Sequence, residues 1–316
     1  MYPAARWAVV GDAVSRALTL DGLKSLVDHG LAASPRLVAL SDESVPSGAT
    51  LPVPALEPEH LGSTPPATHY PSAEAYWQAE SAEPVDIVAD AEPLRAAQGL
   101  ARGCHVLLDW PESVDLPTAR AWCAEAAERG LCLAAVAWPR HSAKLTMLRW
   151  ALANGALGAL RQVTIGAEGG PVELAQVIAL IDWLCGPLEA LRVRDGHVEG
   201  RLADGALFAT RAAGERLLIS GEQGVYGAGW LELGAESTAL SRWYHLHADD
   251  ATRAAHFPAH LADTTGRALL AFLTHRHHDP ATAATNLLRT VRLADALRES
   301  SAHDAIWIDC AVGMGD

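Results

Sequence analysis

The sequence predicts an α/β chain in two parts: a parallel sheet covered by helices on both faces, then an α+β domain built on a mostly antiparallel sheet. Three observations predict this. Through the first 138 residues, short apolar strands alternate with Ala-rich helical stretches. Those strands are apolar throughout rather than at every second residue, as strands buried on both faces must be. After about residue 139 the pattern changes to two long helices and then to alternating stretches punctuated by glycine, the mark of hairpins.

The elements follow in order. "RWAVVGD" (6–12) and "RLVALSD" (36–42) read as strands on either side of the helical "RALTLDGLKSLVDHG". Residues 43–68 are proline-rich and read as a surface loop. "VDIVAD" (85–90), "HVLLD" (105–109) and "LCLAAVAW" (131–138) are further strands. The helical "LRAAQGLARG" and "LPTARAWCAEAAERG" between them both end on glycine, as helices often do. In the second part, "SAKLTMLRWALANG" and "ELAQVIALIDWLCG" read as helices, and 189–234 as hairpins. "SRWYHLHAD" is taken as a strand with Trp243, His245 and His247 on one face and Tyr244 on the other. Two helices joined by a turn at "HRHHD" (275–279) and a last strand, "AIWID", close the chain. The expected division is residues 1–138 and 139–316, and no internal repeat is found.

A chain of 316 residues with 50% hydrophobic content can bury a sizeable core in two domains. A net charge of −14 argues against nucleic acid and anionic membrane surfaces as partners. The five cysteines are odd in number and form no CxxC pair, so a reduced, cytoplasmic protein is expected. The start has no charged segment followed by a long apolar one, so no secretory signal is read there. The longest apolar runs are too short to span a bilayer.

Five blocks, in order, resemble one family. They are "THYPSAEAYWQAESAEPVDIV", "GCHVLLDWP", "RHSAKLTMLRWALANGALG", "WLCGPLEALRV" and "LLISGEQGVY". The family is that of glucose–fructose oxidoreductase, inositol dehydrogenase and MocA (Gfo/Idh/MocA), and the likeness covers nearly the whole chain. It implies an N-terminal Rossmann-type sheet that binds a dinucleotide, and a C-terminal domain with an open-faced sheet. That open face implies a homodimer or homotetramer, with Trp230 or Trp243 covered by another subunit. It also implies NAD or NADP as cofactor. Dinucleotide binding needs small residues at the first strand–helix turn, so that backbone can approach the pyrophosphate at a helix N-terminus. Here "GDAVSR" puts Gly11 at the first glycine position, Ala13 at the second and Arg16, a bulky exception, at the third. Asp42 stands where an acidic side chain holds the adenosine ribose, which favours NAD over NADP.

The catalytic positions depart from the family. Its "EKP" lysine is Trp110, preceded by Asp109 as the retained acid. Its histidine and aspartate, three apart on one helix face, are Gln176 and Ala179. Neither Trp110 nor Gln176 changes protonation state near neutral pH, so the family's proton relay is absent. Arg140 and His141 follow the last strand of the first domain, and His141 is the nearest group able to move a proton near neutral pH. Asp182 stands near the Ala179 face as a substitute acid or a solvated side chain. Asp109 reads equally as the residue that fixes its own turn. His245 and His247 lack a third metal ligand, and "HRHHD" reads as a solvated loop, so no metal is expected. Two functions stay open. One is an NAD(P)-linked oxidoreductase of a small molecule, an imine or planar metabolite needing little acid help, as in the thiazolinyl imine reductases that share the loss of lysine. The other is a non-redox member: a binding or partner subunit, or a cofactor-free enzyme.

Overall fold

The structure, a computed structural model, describes residues 1–10, 13–33, 36–41, 68–70, 73–78, 85–90, 95–108, 114–136, 138–166, 171–211, 217–303 and 306–311. They fall into two units, residues 1–138 with 257–288 and residues 139–256 with 289–316. The expected second domain, 139–316, is interrupted in this division. Residues 257–288 instead return to the first unit, because the helix they carry supplies one face of its core.

In the first unit the elements are β1 (Arg6–Val10), α1 (Ala13–Asp28), β2 (Arg36–Ser41), β3 (Thr68–Tyr70), α2 (Ala73–Gln78), β4 (Ile87–Asp90), α3 (Ala96–Ala101), β5 (His105–Leu108), α4 (Leu116–Glu128) and β6 (Leu133–Ala135). The six strands form one sheet in the order β3-β2-β1-β4-β5-β6, and every pairing is parallel. Strand β1 shows why its sequence has no polar face. Trp7 and Val9 enter a core with Leu107 and Phe272, while Ala8 and Val10 enter another with Tyr76, Trp77 and Val88. Helix α4 starts at Asp115, whose side chain accepts from the Thr118 N–H at 2.8 Å. It ends before Gly130, whose φ of +66° is the left-handed conformation that glycine adopts freely. Strand β6 is shorter than expected: the chain turns into a 3-10 helix over Trp138–His141, where Pro139 has no N–H to give a ladder.

The second unit holds α5 (Ala143–Ala153), β7 (Leu160–Gly166), α6 (Pro171–Cys185), β8 (Leu188–Arg194), β9 (His197–Leu202), β10 (Leu207–Arg211), β11 (Leu218–Gly221), β12 (Gly224–Gly227), β13 (Trp230–Leu233), β14 (Glu236–Ala239), α7 (Leu240–His247), α8 (Asp250–His256) and β15 (Ile308–Asp309). Helix α9 (Thr264–His278) belongs to the first unit, and α10 (Pro280–Ala302) contributes residues to both. The nine-stranded sheet runs β14-β13-β12-β11-β7-β10-β9-β8-β15. It is antiparallel except where β10 meets β7. Register partners Phe208, Val163, Ile219, Tyr226 and Leu231 form a buried row. Leu207, Leu218 and Trp230 point to the opposite face and are exposed, Trp230 by 52%.

Glycines of the "LLISGEQGVY" block have a steric reason. A Cβ on Gly221 would lie 2.3 Å from the Leu157 carbonyl oxygen, and one on Gly224 would lie 2.1 Å from that of Glu232. Neighbouring backbone therefore fills the space a side chain would need. In the first unit, Gly22 lets α1 and α9 approach, since its Cβ would meet Leu269 and the Thr265 carbonyl at 2.8 Å.

"SRWYHLHAD" departs from its expected strand, for it forms helix α7. Four-residue spacing stacks the His247 ring on Trp243, centroids 4.2 Å apart, and His247 Nδ1–H donates to the Trp243 carbonyl at 2.8 Å. Trp243, expected on the open sheet face, is only 9% exposed and packs on Trp150 of α5. The "HRHH" segment extends α9 by its last turn rather than forming a loop, with Asp279 as the cap residue. No described group of His, Cys, Asp and Glu is placed to hold a metal. No helix among the described residues is long and apolar enough to cross a membrane.

Candidate functional site

In the first unit, the strand order reverses direction between β1 and β4, whose last residues Val10 and Asp90 are register partners. An open α/β sheet binds ligands beyond the carboxyl ends of its strands at such a switch point. Helix α1 begins at Ala13, three positions after β1 ends, and has no acidic residue in its first turn. Its N-terminal N–H groups and positive dipole end face that switch point; the residue before it, Asp12, lies outside the described residues. That arrangement fits a dinucleotide pyrophosphate. Gly11, Asp42, Asp109 and Trp110 lie outside the described residues.

The second unit carries the remaining candidates on α6 and the 3-10 turn. Helix α6 buries Leu174, Ala175, Ile178, Ala179, Ile181 and Leu184 along one side, which explains its apolar sequence. Gln176 is exposed on it, whereas Ala179 is 1% exposed. So the two positions that the family resemblance gives to a histidine–aspartate pair differ here in both chemistry and access. Arg140, from the 3-10 turn, reaches the same helix: its Nη2–H donates to the Ala179 carbonyl at 2.8 Å. Burial, opposed by Asp182 and reinforced by Arg149, pulls the Arg140 guanidinium down to about 10, so it remains a cation at neutral pH. His141 ends the 3-10 turn half-buried and makes an interaction of its own.

Asp182 is neither a free acid nor a solvated one. It accepts from the Leu188 N–H at 2.8 Å and is ion-paired with Arg289 of α10. Two residues that the sequence did not single out therefore belong to the description. Arg289 fixes Asp182, and nothing local in the sequence marks a pair 107 positions apart. Arg149 of α5 lies over the Trp183 ring, 4.6 Å from its centroid, and basic–aromatic pairs of this kind have no sequence spacing to betray them.

No protein-family model matches the chain, and no curated protein does either. Solved structures do. The WlbA dehydrogenase of Bordetella pertussis, solved with NADH and UDP-GlcNAcA, is 18% identical over 97% of this chain and 98% of that one, with a TM-score of 0.65. An oxidoreductase of Sinorhizobium meliloti is 19% identical over 97% and 99%, with a TM-score of 0.65. An inositol dehydrogenase homologue of Azotobacter vinelandii, solved with NADH and myo-inositol, is 13% identical over 97% and 98%, with a TM-score of 0.63. At these identities the likeness is one of fold, and it spans both units.

Proposed function

We propose that the chain is an NAD(P)-linked oxidoreductase of a small molecule, a divergent member of the Gfo/Idh/MocA type. The observation that carries this reading is the sheet order β3-β2-β1-β4-β5-β6, with α1 starting just after β1 at the β1/β4 switch point. Its support from comparison is that structures of this fold have been solved with NADH. Bound there, the nicotinamide ring would supply or accept a hydride. Gly11 and Ala13 offer backbone N–H groups to the pyrophosphate. Asp42 accepts from the ribose hydroxyls and repels a 2′-phosphate, which favours NAD. Trp110 presents an apolar wall suited to a planar substrate, with Asp109 fixing its turn. Gln176 donates a hydrogen bond without moving a proton, and His141 carries the proton. A substrate that is already electrophilic, such as an imine, needs no more than this placement.

Titration of the wild-type protein by nicotinamide fluorescence tests the reading. NADH is expected to bind, more tightly than NADPH, and Asp42→Ala to weaken NADH by about 1.5–3 kcal/mol, the worth of a charge-assisted hydrogen bond. Binding of neither nucleotide would remove it. One observation favours a second reading, a non-redox member acting as a binding or partner subunit or as a cofactor-free enzyme. Where an acid would stand, Ala179 places a buried methyl group and gives its carbonyl to Arg140.

The same reading includes a homodimer or homotetramer built on the outer face of the nine-stranded sheet, where Leu207, Leu218 and Trp230 are exposed. Sedimentation at micromolar concentration is expected to give the oligomer, and Trp230→Glu to shift it toward monomer. A monomeric wild type would count against the assembly.

A further inference from the structure

The chain has 38 acidic residues against 24 basic ones, so carboxylates are in excess over its cations. Arg6, Arg192, Arg253, Arg289, Arg292 and Arg298 all have one within 3.1 Å. Arg140 and Arg149 are exceptions. Among the described residues no carboxylate is seen within ion-pair distance of either, and both bear on α6 one turn apart, Arg140 on the Ala179 carbonyl and Arg149 on the Trp183 ring. Asp182, the acid nearest in effect to Arg140, is already committed to Arg289 and to the Leu188 N–H.

Arg140 itself is held in an unusual state. Its Nη2 is tied to the Ala179 carbonyl, and its Nε is sealed from solvent with no hydrogen-bond partner. Nη1 makes no hydrogen bond among the described residues, and the side chain as a whole is half-buried. A cation stripped of much of its water and given one carbonyl in return is poorly compensated. An anion at Nη1 restores the balance, and a second cation against the same helix raises the local attraction for it. Arg149 is positioned for this by its stacking on Trp183.

We propose that Arg140 and Arg149 form an oxyanion-binding site, which holds a carboxylate or phosphate group of the substrate against α6. The assignment of that anion to the substrate rests on the oxidoreductase reading given above. The fork of a guanidinium suits either oxyanion. Gln176, exposed on the same helix, is the neighbouring neutral donor.

Calorimetric titration of the full-length protein with benzoate, phenylphosphonate and the neutral isostere benzamide tests the site. One of the anions is expected to bind roughly tenfold or more tightly than benzamide, the return for a charge-assisted hydrogen bond. The tighter of the two identifies the oxyanion. Arg140→Met should abolish that preference. Arg149→Met, a change at an exposed residue that leaves folding intact, should reduce it several-fold. Equal binding of benzamide, no binding of either anion, or an unchanged preference in Arg149→Met would each overturn the proposal. The NADH titration reads separately. Anion preference without NADH binding would remove the oxidoreductase reading and keep the site, and NADH binding without anion preference would do the reverse.

Discussion

Arg289→Ala is expected to lower the unfolding free energy by about 3–5 kcal/mol, the range for breaking one side of a buried ion pair. Arg289 donates to both carboxylate oxygens of Asp182, to the Leu188 carbonyl at 2.7 Å and to the Cys310 carbonyl. Both charged side chains are mostly buried, at 21% and 11% exposure. Removing the guanidinium leaves a carboxylate with only the Leu188 N–H for a partner, next to a strand end whose carbonyl has also lost its donor. Four elements, α6, β8, α10 and the segment after β15, lose their common tie at once. Replacing both partners by apolar residues, Asp182→Leu with Arg289→Met, should cost less than Arg289→Ala alone, because no orphaned charge remains. Chemical denaturation measures both. A single variant within about 1 kcal/mol of wild type would show that the pair is not a major tie.

His105→Gln is expected to flatten the acid side of the stability profile by about 2 kcal/mol between pH 7 and pH 4.5. His105 opens β5, and its Nδ1 accepts the Cys132 N–H at 2.9 Å. Burial first, then the charges of Arg276 and His277, hold its pKa down to about 4 against the opposing pull of Asp86. In the unfolded chain the ring takes a proton below about 6.5, while in the folded chain it stays neutral until about 4. The unfolded state therefore binds more protons within that window. The stabilisation from a neutral His105 is present above pH 6.5 and drains away as pH falls toward 4. Glutamine keeps an acceptor for the Cys132 N–H and takes up no proton. Equal slopes for the variant and wild type, with equal stability at pH 7, would mean that His105 does not govern this window.

The parallel sheet was legible because β1, β4 and β5 are short apolar runs buried on both faces, a pattern few other structures produce. The second sheet was legible from its glycines, two of which meet neighbouring backbone directly. Residues 240–247 were misread for a physical reason. Over eight residues, W-Y-H-L-H supports both a two-residue and a four-residue period. What decided between them was Trp150 of α5, which packs on both Trp243 and Tyr244 and lies about ninety positions earlier. The candidate site was legible only in part. The family resemblance assigned Gln176 and Ala179 to a helix, which is α6, but the fate of Asp182 depended on Arg289. The carbonyl that Arg140 takes could not be read either, because it belongs to backbone.

The first unit is made from two separated stretches, 1–138 and 257–288, and this sets the order of events on the ribosome. Trp7, Val9 and Leu26 wait for Phe272 and Leu269, which emerge only after all of residues 139–256 have been synthesised. Until then the nascent chain carries a half-finished core with one apolar side bare, the kind of surface a chaperone engages and an aggregating neighbour exploits. The N-terminal 138 residues are therefore no portable domain. Cut there, the fragment would lack α9, against which Gly22 makes its closest approach, whereas the intervening stretch can in principle be exchanged between its two junctions without removing any strand of the parallel sheet.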